Sequence, residues 1–575
     1  MIDVFIKIPL IYDHSEDDKV FLIKPESISK YYNESHTFYL WGDPILPETI
    51  RDPLQLISQG DVKNILENIS GHYCFLLIDK HSKITIIGNS LFGILPLYYS
   101  DINGQLYISN NPAYIAKKLP DSGIDKRFLL ENLLFNYTLF NNSAYRNVKL
   151  LPSNNYIKIN ANTYHLIHHT HVEDLFTQTP LSPKSVVDDL AALFLNISKK
   201  YFPDEYYVSA LTGGFDSRTL VSSALYHNKQ FTAYGFGSAE SSDLLTGQYI
   251  AGKINIPYHC FKLNEDYIEN HSLQNGLEFI SGCFGNAGFA RAHYLYAAKE
   301  LSKNYKYVIT GNFGSELFRA AHVAGAVISP NLYRIFNADD HIEAIRDIEK
   351  SEEYNWLNKE QFRDEWDELK YDLKNFICFN SKYNELTKNQ KFYKFIFEEV
   401  FRKYFSSEII NQFKYIVNRT PYLDYEFVKA LLNTGLAGIH SDFFTHNPLK
   451  RYKGQLLYAH IIKKSNNVLV NESTNKGYRP VDLLSAKGYV NITSSYIKKQ
   501  IKQRYNNNNN DEYSVKASFL HNVDYWKNMR IDPNVFNAEL IRDCLNNTKY
   551  HGHSYFIALS QAYWYNRLLH GNTNE

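Results

Sequence analysis

The sequence predicts two domains: an α+β domain rich in short strands, then an α/β domain with a parallel sheet and many helices. Residues 1–172 alternate short apolar runs with turn residues, which is typical of strands. Residues 206–220 read as a strand, a glycine loop and the start of a helix, and the same order recurs at 307–318. From about residue 340 onward the pattern is mostly helical.

Length and composition bound the class of protein. The 575 residues are too many for one typical core. With 61 basic and 61 acidic residues the formal net charge is zero, which gives no electrostatic reason to expect a nucleic-acid or membrane partner. No apolar stretch approaches the length of a bilayer span and the first residues lack a signal-peptide pattern, so we expect a cytoplasmic protein. The five scattered cysteines, with no Cys-x-x-Cys pair, fit a reducing compartment.

Two stretches of the first domain have a specific pattern. Residues 71–79 and 83–88 predict a hairpin, because two apolar runs flank a short turn. Four histidines in residues 165–171 could place a pair on one strand face, where a metal ion would bind. We set that metal site aside, because no cysteine or carboxylate partner is indicated.

A linker is predicted at residues 173–184, which contain Pro180 and Pro183. Ser185 is expected to cap the helix that opens the second domain, residues 185–575.

The glycine loop at residues 212–217 joins a buried strand to a helix. Glycine allows a sharp turn, and the free N–H groups at a helix start favour phosphate oxygens. Thr212 and Ser217 add hydroxyl donors. Asp216 would repel a phosphate unless a cation lies between them, so it indicates Mg²⁺ carried in with a nucleotide. The alternative is an ordinary strand-to-helix turn with Asp216 in the first helical turn.

The residues Thr212-Gly-Gly-Phe-Asp-Ser217 resemble the Ser-Gly-Gly-x-Asp-Ser pyrophosphate loop of the ATP pyrophosphatase superfamily. The rest of the chain narrows this resemblance to the asparagine synthetase family. The resemblance implies an ATP pyrophosphatase domain that uses ATP and Mg²⁺, releasing AMP and pyrophosphate while it adenylates a substrate. It assigns ATP binding to Leu211, Thr212, Gly213, Gly214, Asp216, Ser217 and Gly311.

Residues 307–318 resemble the family's S-G-x-G-x-D-E-x-F segment, whose aspartate shares the magnesium ion with the loop aspartate. Aligned without a gap, Ser315 stands where that aspartate belongs. With one residue inserted, Glu316 takes its place. We expect Asp216 and Glu316 to be the metal ligands, because Mg²⁺ with two phosphate groups usually takes more than one carboxylate. Glu316 is therefore also a candidate catalytic residue.

Two further segments of the second domain resemble the family. Residues 418–428 are similar to its R-x-P-F-L-D-x-x-x-V segment, in which Arg419 and Asp424 are expected to order the cleft. Residues 471–478 are similar to the loop that carries the family's catalytic lysine, so Lys476 is a candidate to stabilise charge at the α-phosphate. The alternative for Lys476 is a solvated loop lysine.

The first domain resembles the class II glutamine amidotransferase domain of asparagine synthetases, an Ntn-hydrolase-like sandwich, through Gly71, Asp79 and the run 93–99. A glutaminase of this class needs a cysteine at position 2, where its thiolate attacks glutamine. Ile2 stands there, and the first cysteine is Cys74 inside a predicted strand. We therefore expect a retained domain without glutaminase chemistry.

The resemblance implies a ligase that adenylates a small-molecule or peptide carboxylate and transfers it to an amine. Without the glutaminase cysteine the chain resembles β-lactam synthetases and lasso peptide cyclases, and we favour peptide macrolactam formation, with a precursor peptide and its protease as candidate partners. Amidation of aspartate or a sugar acid by free ammonia stays open. So does an inactive nucleotide-binding scaffold, because Ser315 and Asn312 replace family carboxylates. A tRNA-modifying enzyme is disfavoured by the neutral charge.

Overall fold

A computed structural model describes residues 4–9, 20–21, 28–57, 62–160, 163–177, 179–319, 327–440, 453–505, 510–547 and 552–570. Ile2, on which the expected loss of glutaminase chemistry partly rests, lies outside the described residues. In the described part of the chain, no helix combines the length and apolar character that crossing a membrane requires.

Two antiparallel sheets form the first part of the chain. One has six strands, in spatial order Thr163–His168, Asn155–Asn160, Ile84–Asn89, Ser70–Asp79, His36–Ile45 and Ser29–Tyr32. The other has five, in the order Val20–Phe21, Phe5–Pro9, Gln105–Ser109, Tyr98–Ile102 and Lys149–Leu150. Side chains of both sheets, among them Phe75 and Ile108, belong to one buried apolar cluster. The predicted α+β character and the predicted hairpin, in which Ser70–Asp79 pairs with Ile84–Asn89, are confirmed.

A five-stranded parallel sheet forms the centre of the second part. Its spatial order is Tyr258–Lys262, Phe231–Gly237, Tyr207–Ala210, Tyr307–Ile309 and Val417–Arg419. Every neighbouring pair is parallel, so the predicted α/β parallel sheet is confirmed. The chain leaves the central strand Tyr207–Ala210 on one side and later returns on its other side. Such a reversal of strand order opens a crevice at the carboxyl ends of the strands, where ligands bind in sheets of this type.

Helices surround the three sheets. The first part contains Val62–Asn68, Pro112–Ala116 and Lys126–Phe135. Before residue 320 the second part contains Pro183–Ser198, Asp216–Tyr226, Ser242–Lys253, Glu265–Asn270, Ser272–Gly282, Ala292–Ser302 and Gly314–Arg319. After that it contains Pro330–Asn337, His341–Glu349, Glu352–Asn355, Arg363–Leu373, Lys388–Phe395, Ser406–Gln412, Tyr425–Leu432, Lys453–Ser465, Ala486–Tyr505, Asn510–His521, Val523–Asn528, Ala538–Asn546 and His553–His570.

One helix starts earlier than the sequence predicts, and one segment of the helical region is a π-helix. The helix expected to start after Ser185 begins earlier, at Pro183, with Ser182 as the preceding residue. The fixed φ of proline and its missing N–H suit the first helical position, and this outweighs the capping preference of Ser185. Between Lys388–Phe395 and Ser406–Gln412, the segment Ile396–Phe405 is a π-helix. π-Helices are rare and occur mostly as single-turn bulges within α-helices, so a segment of this length is unusual.

Candidate functional site

Two loops meet at the carboxyl ends of neighbouring parallel strands. Residues 212–217 follow the strand Tyr207–Ala210, and residues 310–316 follow the strand Tyr307–Ile309. Between them lies an open pocket of about 1040 Å³, counting the space continuous with solvent. Five of the predicted site residues line it, namely Thr212, Asp216, Ser217, Gly311 and Glu316. The structure therefore brings together the two motifs that lie about 100 residues apart in the sequence.

Hydrogen bonds within the first loop fix its shape. The Thr212 N–H donates to Ser217 Oγ at 2.9 Å, and the Gly214 N–H donates to Thr212 Oγ1 at 3.2 Å. The Gly213 N–H donates to Asp243 Oδ1 at 3.1 Å. The sequence predicts that these N–H groups bind phosphate. A bound phosphate would then replace the hydroxyl and carboxylate oxygens as the acceptor of their hydrogen bonds. Leu211 lies before the loop, where its carbonyl accepts from the Tyr258 hydroxyl at 3.1 Å.

Asp216 connects the two loops. Its carboxylate accepts hydrogen bonds from the Tyr458 hydroxyl and, at 3.0 Å, from Ser315 Oγ. A Cβ on Gly311 would lie 2.9 Å from Asp216 Cβ, so only glycine allows this approach. Ser315, which an ungapped alignment places at the family's aspartate, is thus the residue that touches Asp216. The assignment of Glu316 as a second metal ligand stays a prediction.

The side-chain oxygens near Asp216 are too few to bind Mg²⁺ unless a nucleotide adds phosphate oxygens. Within the described residues, no group of three or more His, Cys, Asp or Glu side chains is arranged to hold a metal ion. A carboxylate has about four lone-pair positions, so Asp216 can keep its two hydroxyl donors and still bind a cation. Mg²⁺ is commonly held by one or two carboxylates together with substrate phosphates. Asp216 and Glu316 are the two acidic residues of the pocket loops, and both line the pocket.

The segment that carries Lys476 lies against the first loop. The Asn475 N–H donates to the Gly213 carbonyl at 3.1 Å, and the Asn475 amide donates to Asp243 Oδ1 at 2.8 Å. A Cβ on Gly213 would come within 2.5 Å of Asn475 Cβ, which explains why glycine is required there. Lys476 Nζ lies 6.0 Å from the centre of the Phe215 ring. The half-buried Lys476 is therefore next to the loop, although it does not line the pocket as the structure stands.

The same pocket contains a buried ion pair that the sequence does not predict. Arg291 donates to Glu408 Oε2 at 2.7 Å, and the two side chains are 8% and 4% exposed. Asn312 of the second loop donates to the other oxygen of Glu408 at 3.2 Å. The guanidinium also lies 4.1 Å from the Tyr404 ring centre. The available signal was a lone charge within an apolar run, which occurs at Arg291 but not at Glu408.

The histidine-rich strand gives no metal site among the described residues. The His168 and His171 rings are 4.1 Å apart. Burial lowers the pKa of His168 to about 4 and that of His169 to about 3, so both are neutral at physiological pH. These imidazoles are therefore packed as uncharged side chains.

Cys74 is the single cysteine in residues 1–172, and its environment is unlike that of a nucleophile. It is 1% exposed within the strand Ser70–Asp79, and burial raises the pKa of its thiol. A reactive cysteine needs the opposite, an accessible thiol with a lowered pKa.

We expect glutamate release from glutamine to stay at the rate without protein, and the Cys74→Ala variant to behave identically, because a buried neutral thiol cannot attack glutamine. A coupled glutamate assay measures this. Release of glutamate that disappears in the variant would show that Cys74 is a nucleophile.

Comparisons with known proteins give one domain match and several partial relatives. Residues 54–170 match the family model of a glutamine amidotransferase domain. Asparagine synthetase [glutamine-hydrolyzing] 1 of Bacillus subtilis (strain 168) is 24% identical over 257 residues, covering 44% of this chain and 39% of that protein. Asparagine synthetase [glutamine-hydrolyzing] of Mesocricetus auratus is 23% identical over 227 residues, covering 37% and 39%. The chain thus spans about two fifths of the length of these curated relatives.

Among solved structures, glutamine phosphoribosylpyrophosphate amidotransferase from B. subtilis complexed with ADP and GMP matches with a TM-score of 0.15 and 11% identity, over 40% of this chain and 47% of that one. The chain is thus similar to a glutamine amidotransferase domain over residues 54–170 and, over about two fifths of its length, to two asparagine synthetases.

Proposed function

We propose that this protein is an ATP-dependent, AMP-forming ligase that adenylates a substrate carboxylate and transfers it to an amine without a glutaminase of its own. The observation that carries the proposal is the meeting of two polar loops at the switch point of a parallel sheet. Thr212, Asp216 and Ser217 face Gly311 and Glu316 across one pocket. This is the position at which open parallel sheets bind nucleotides.

Each chain residue has a distinct part in the proposed reaction. The loop of residues 212–217 binds the β- and γ-phosphates through its N–H groups and the hydroxyls of Thr212 and Ser217. Asp216 and Glu316 would hold Mg²⁺, which would supply positive charge beside the phosphate oxygens. The substrate carboxylate attacks the α-phosphorus, the bond to pyrophosphate breaks, and an acyl-adenylate and pyrophosphate result. An amine then attacks the acyl carbon, AMP leaves, and the amine loses its proton.

Lys476 is proposed to stabilise negative charge on the α-phosphate. Its backbone is fixed, because its N–H donates to Thr474 Oγ1 at 3.3 Å and Asn475 is bonded to Gly213. Its ammonium lies over the Phe215 ring, which belongs to the loop itself. A four-carbon side chain anchored there can reach a phosphate held by the same loop.

The proposed amine comes from the substrate and not from glutamine. Burial of Cys74 supports this, since no other cysteine lies in residues 1–172. We favour a peptide as the substrate, with an Asp or Glu side chain as the carboxylate and its own terminal amine as the nucleophile. The pocket is open to solvent, so a peptide end can enter it beside the nucleotide.

The test measures AMP and pyrophosphate formation from Mg·ATP with three substrate classes in parallel: peptides with a free N-terminus and an internal Asp or Glu, aspartate with ammonia, and sugar acids with ammonia. We expect AMP and amide product in equal amounts with one class. ADP as the product would contradict the adenylation mechanism. Nucleotide binding without turnover under every condition would favour the inactive scaffold, for which Ser315 and Asn312 are the motivating substitutions.

A further inference from the structure

The amidotransferase-like part of the chain is hydrogen-bonded to the strand Val417–Arg419, which lies beside the pocket. Arg419 donates from Nε and Nη2 to the two oxygens of Asp43, at 2.7 and 2.8 Å. Asp43 belongs to the strand His36–Ile45, and Arg419 ends the strand Val417–Arg419 of the parallel sheet. Both side chains are largely shielded from water, at 10% and 13% exposed. A shielded bidentate pair of this kind fixes orientation as well as position.

Hydrogen bonds connect Arg419 and its neighbour to the second pocket loop, residues 310–316. Its carbonyl accepts a hydrogen bond from the Thr310 N–H at 3.1 Å. The next residue, Thr420, donates through its hydroxyl to the Asn312 carbonyl at 3.1 Å. Thr310 and Asn312 both line the pocket. A shift of Arg419 would therefore move the backbone that carries Gly311.

Phe313 is the second point of contact. Its φ is +70°, a left-handed conformation that costs a non-glycine residue on the order of 1 kcal/mol or more. The ring is fully buried, with centres 4.8 Å from Phe401, 4.9 Å from Phe405 and 6.2 Å from His72 of the first domain. Burial lowers the pKa of His72 to about 4, so it packs as a neutral ring. Packing from both domains thus holds a strained backbone immediately before Gly314 and Ser315.

We propose that the amidotransferase-like domain acts as a clamp, in which Asp43 and His72 are positioning residues that hold the pocket loop, residues 310–316, in its working geometry. The kinetic consequence of the clamp rests on the proposed function, whereas its effect on the loop does not. This gives the domain a function that needs no glutamine chemistry.

An ion pair between the start of the linker and the second part of the chain provides a matched control. Glu173 accepts a hydrogen bond from Lys394 at 2.5 Å, and these side chains are 17% and 3% exposed. Neither residue lines the pocket or bonds to residues 310–316. Glu173→Gln and Asp43→Asn therefore remove comparable charges, but only the second change acts on the loop.

The first experiment is hydrogen–deuterium exchange of the full chain without substrate. In Asp43→Asn we expect amides in residues 307–319 to exchange about tenfold faster than in the wild type, because their strand loses its anchor. In Glu173→Gln their exchange should be unchanged. Equal exchange in the wild type and Asp43→Asn, with an intact fold by circular dichroism, would overturn the clamp whether or not the protein turns over ATP.

The second experiment separates positioning from simple destabilisation. In Asp43→Asn and Arg419→Lys we expect kcat for pyrophosphate release to fall by about ten- to a hundredfold, with KM for ATP changed less than about threefold, since the loop of residues 212–217 is untouched. The double variant should be no worse than the more impaired single one, because both act through one contact. Additive losses, or wild-type kcat in both single variants, would contradict the proposal.

Discussion

Replacing Asp216 with asparagine is expected to lower the rate of pyrophosphate release by about a thousandfold, which corresponds to about 4 kcal/mol of transition-state stabilisation. Asparagine keeps the size of the side chain and can still accept a hydrogen bond from Tyr458 or Ser315, so the fold is retained. What disappears is the negative charge that the proposed mechanism places on Mg²⁺ and the phosphates. Pyrophosphate release at saturating Mg·ATP measures the effect.

Ser315→Ala is the matched control for this prediction. It removes one hydroxyl donor from the Asp216 carboxylate but leaves the charge in place. We expect a loss of about ten- to a hundredfold, smaller than that of Asp216→Asn, because a hydrogen bond to a charged group contributes about 1.5–3 kcal/mol. Titration with Mg²⁺ should show a raised requirement in Asp216→Asn and a nearly normal one in Ser315→Ala. Wild-type turnover in Asp216→Asn would exclude this carboxylate from the metal site.

The local order of strand, loop and helix around Asp216 could be predicted because short-range patterns determine it. The apolar run 207–211 fits a buried strand, the two glycines allow the turn, and the spacing after Ser217 fits a helix. The observed elements are Tyr207–Ala210 and Asp216–Tyr226. The same reasoning predicted the second strand and loop, since Tyr307–Ile309 precedes Gly311.

Contacts between distant segments could not be predicted in the same way. The pairing of Arg291 with Glu408 joins residues 117 positions apart, and no motif marks either of them. Asn475 meets Gly213 only because the fold brings their segments together. The sequence also does not predict the left-handed backbone of Phe313. Phenylalanine itself does not favour this conformation, and the surrounding side chains impose it.

Breaking the buried ion pair between Arg291 and Glu408 has the largest expected effect on stability. Arg291→Met should lower the free energy of unfolding by about 3 kcal/mol or more, because it leaves the Glu408 charge buried beside Asn312 and Gln412 without its cation. Methionine keeps the apolar length that packs against Tyr404. The midpoint and slope of urea unfolding measure the change.

A double variant and a control substitution of another arginine distinguish two causes of the stability loss, the unpaired buried charge and the loss of the arginine side chain itself. Arg291→Met with Glu408→Gln should regain about 1 kcal/mol or more, because no unpaired charge remains. Arg146→Met breaks a pair with Asp121 at 3.1 Å, in which the two side chains are 54% and 65% exposed. It should cost less than about 1 kcal/mol, because solvent screens that pair. Equal losses in Arg291→Met and Arg146→Met, with no recovery in the double variant, would show that the pocket wall does not depend on the buried charge pair.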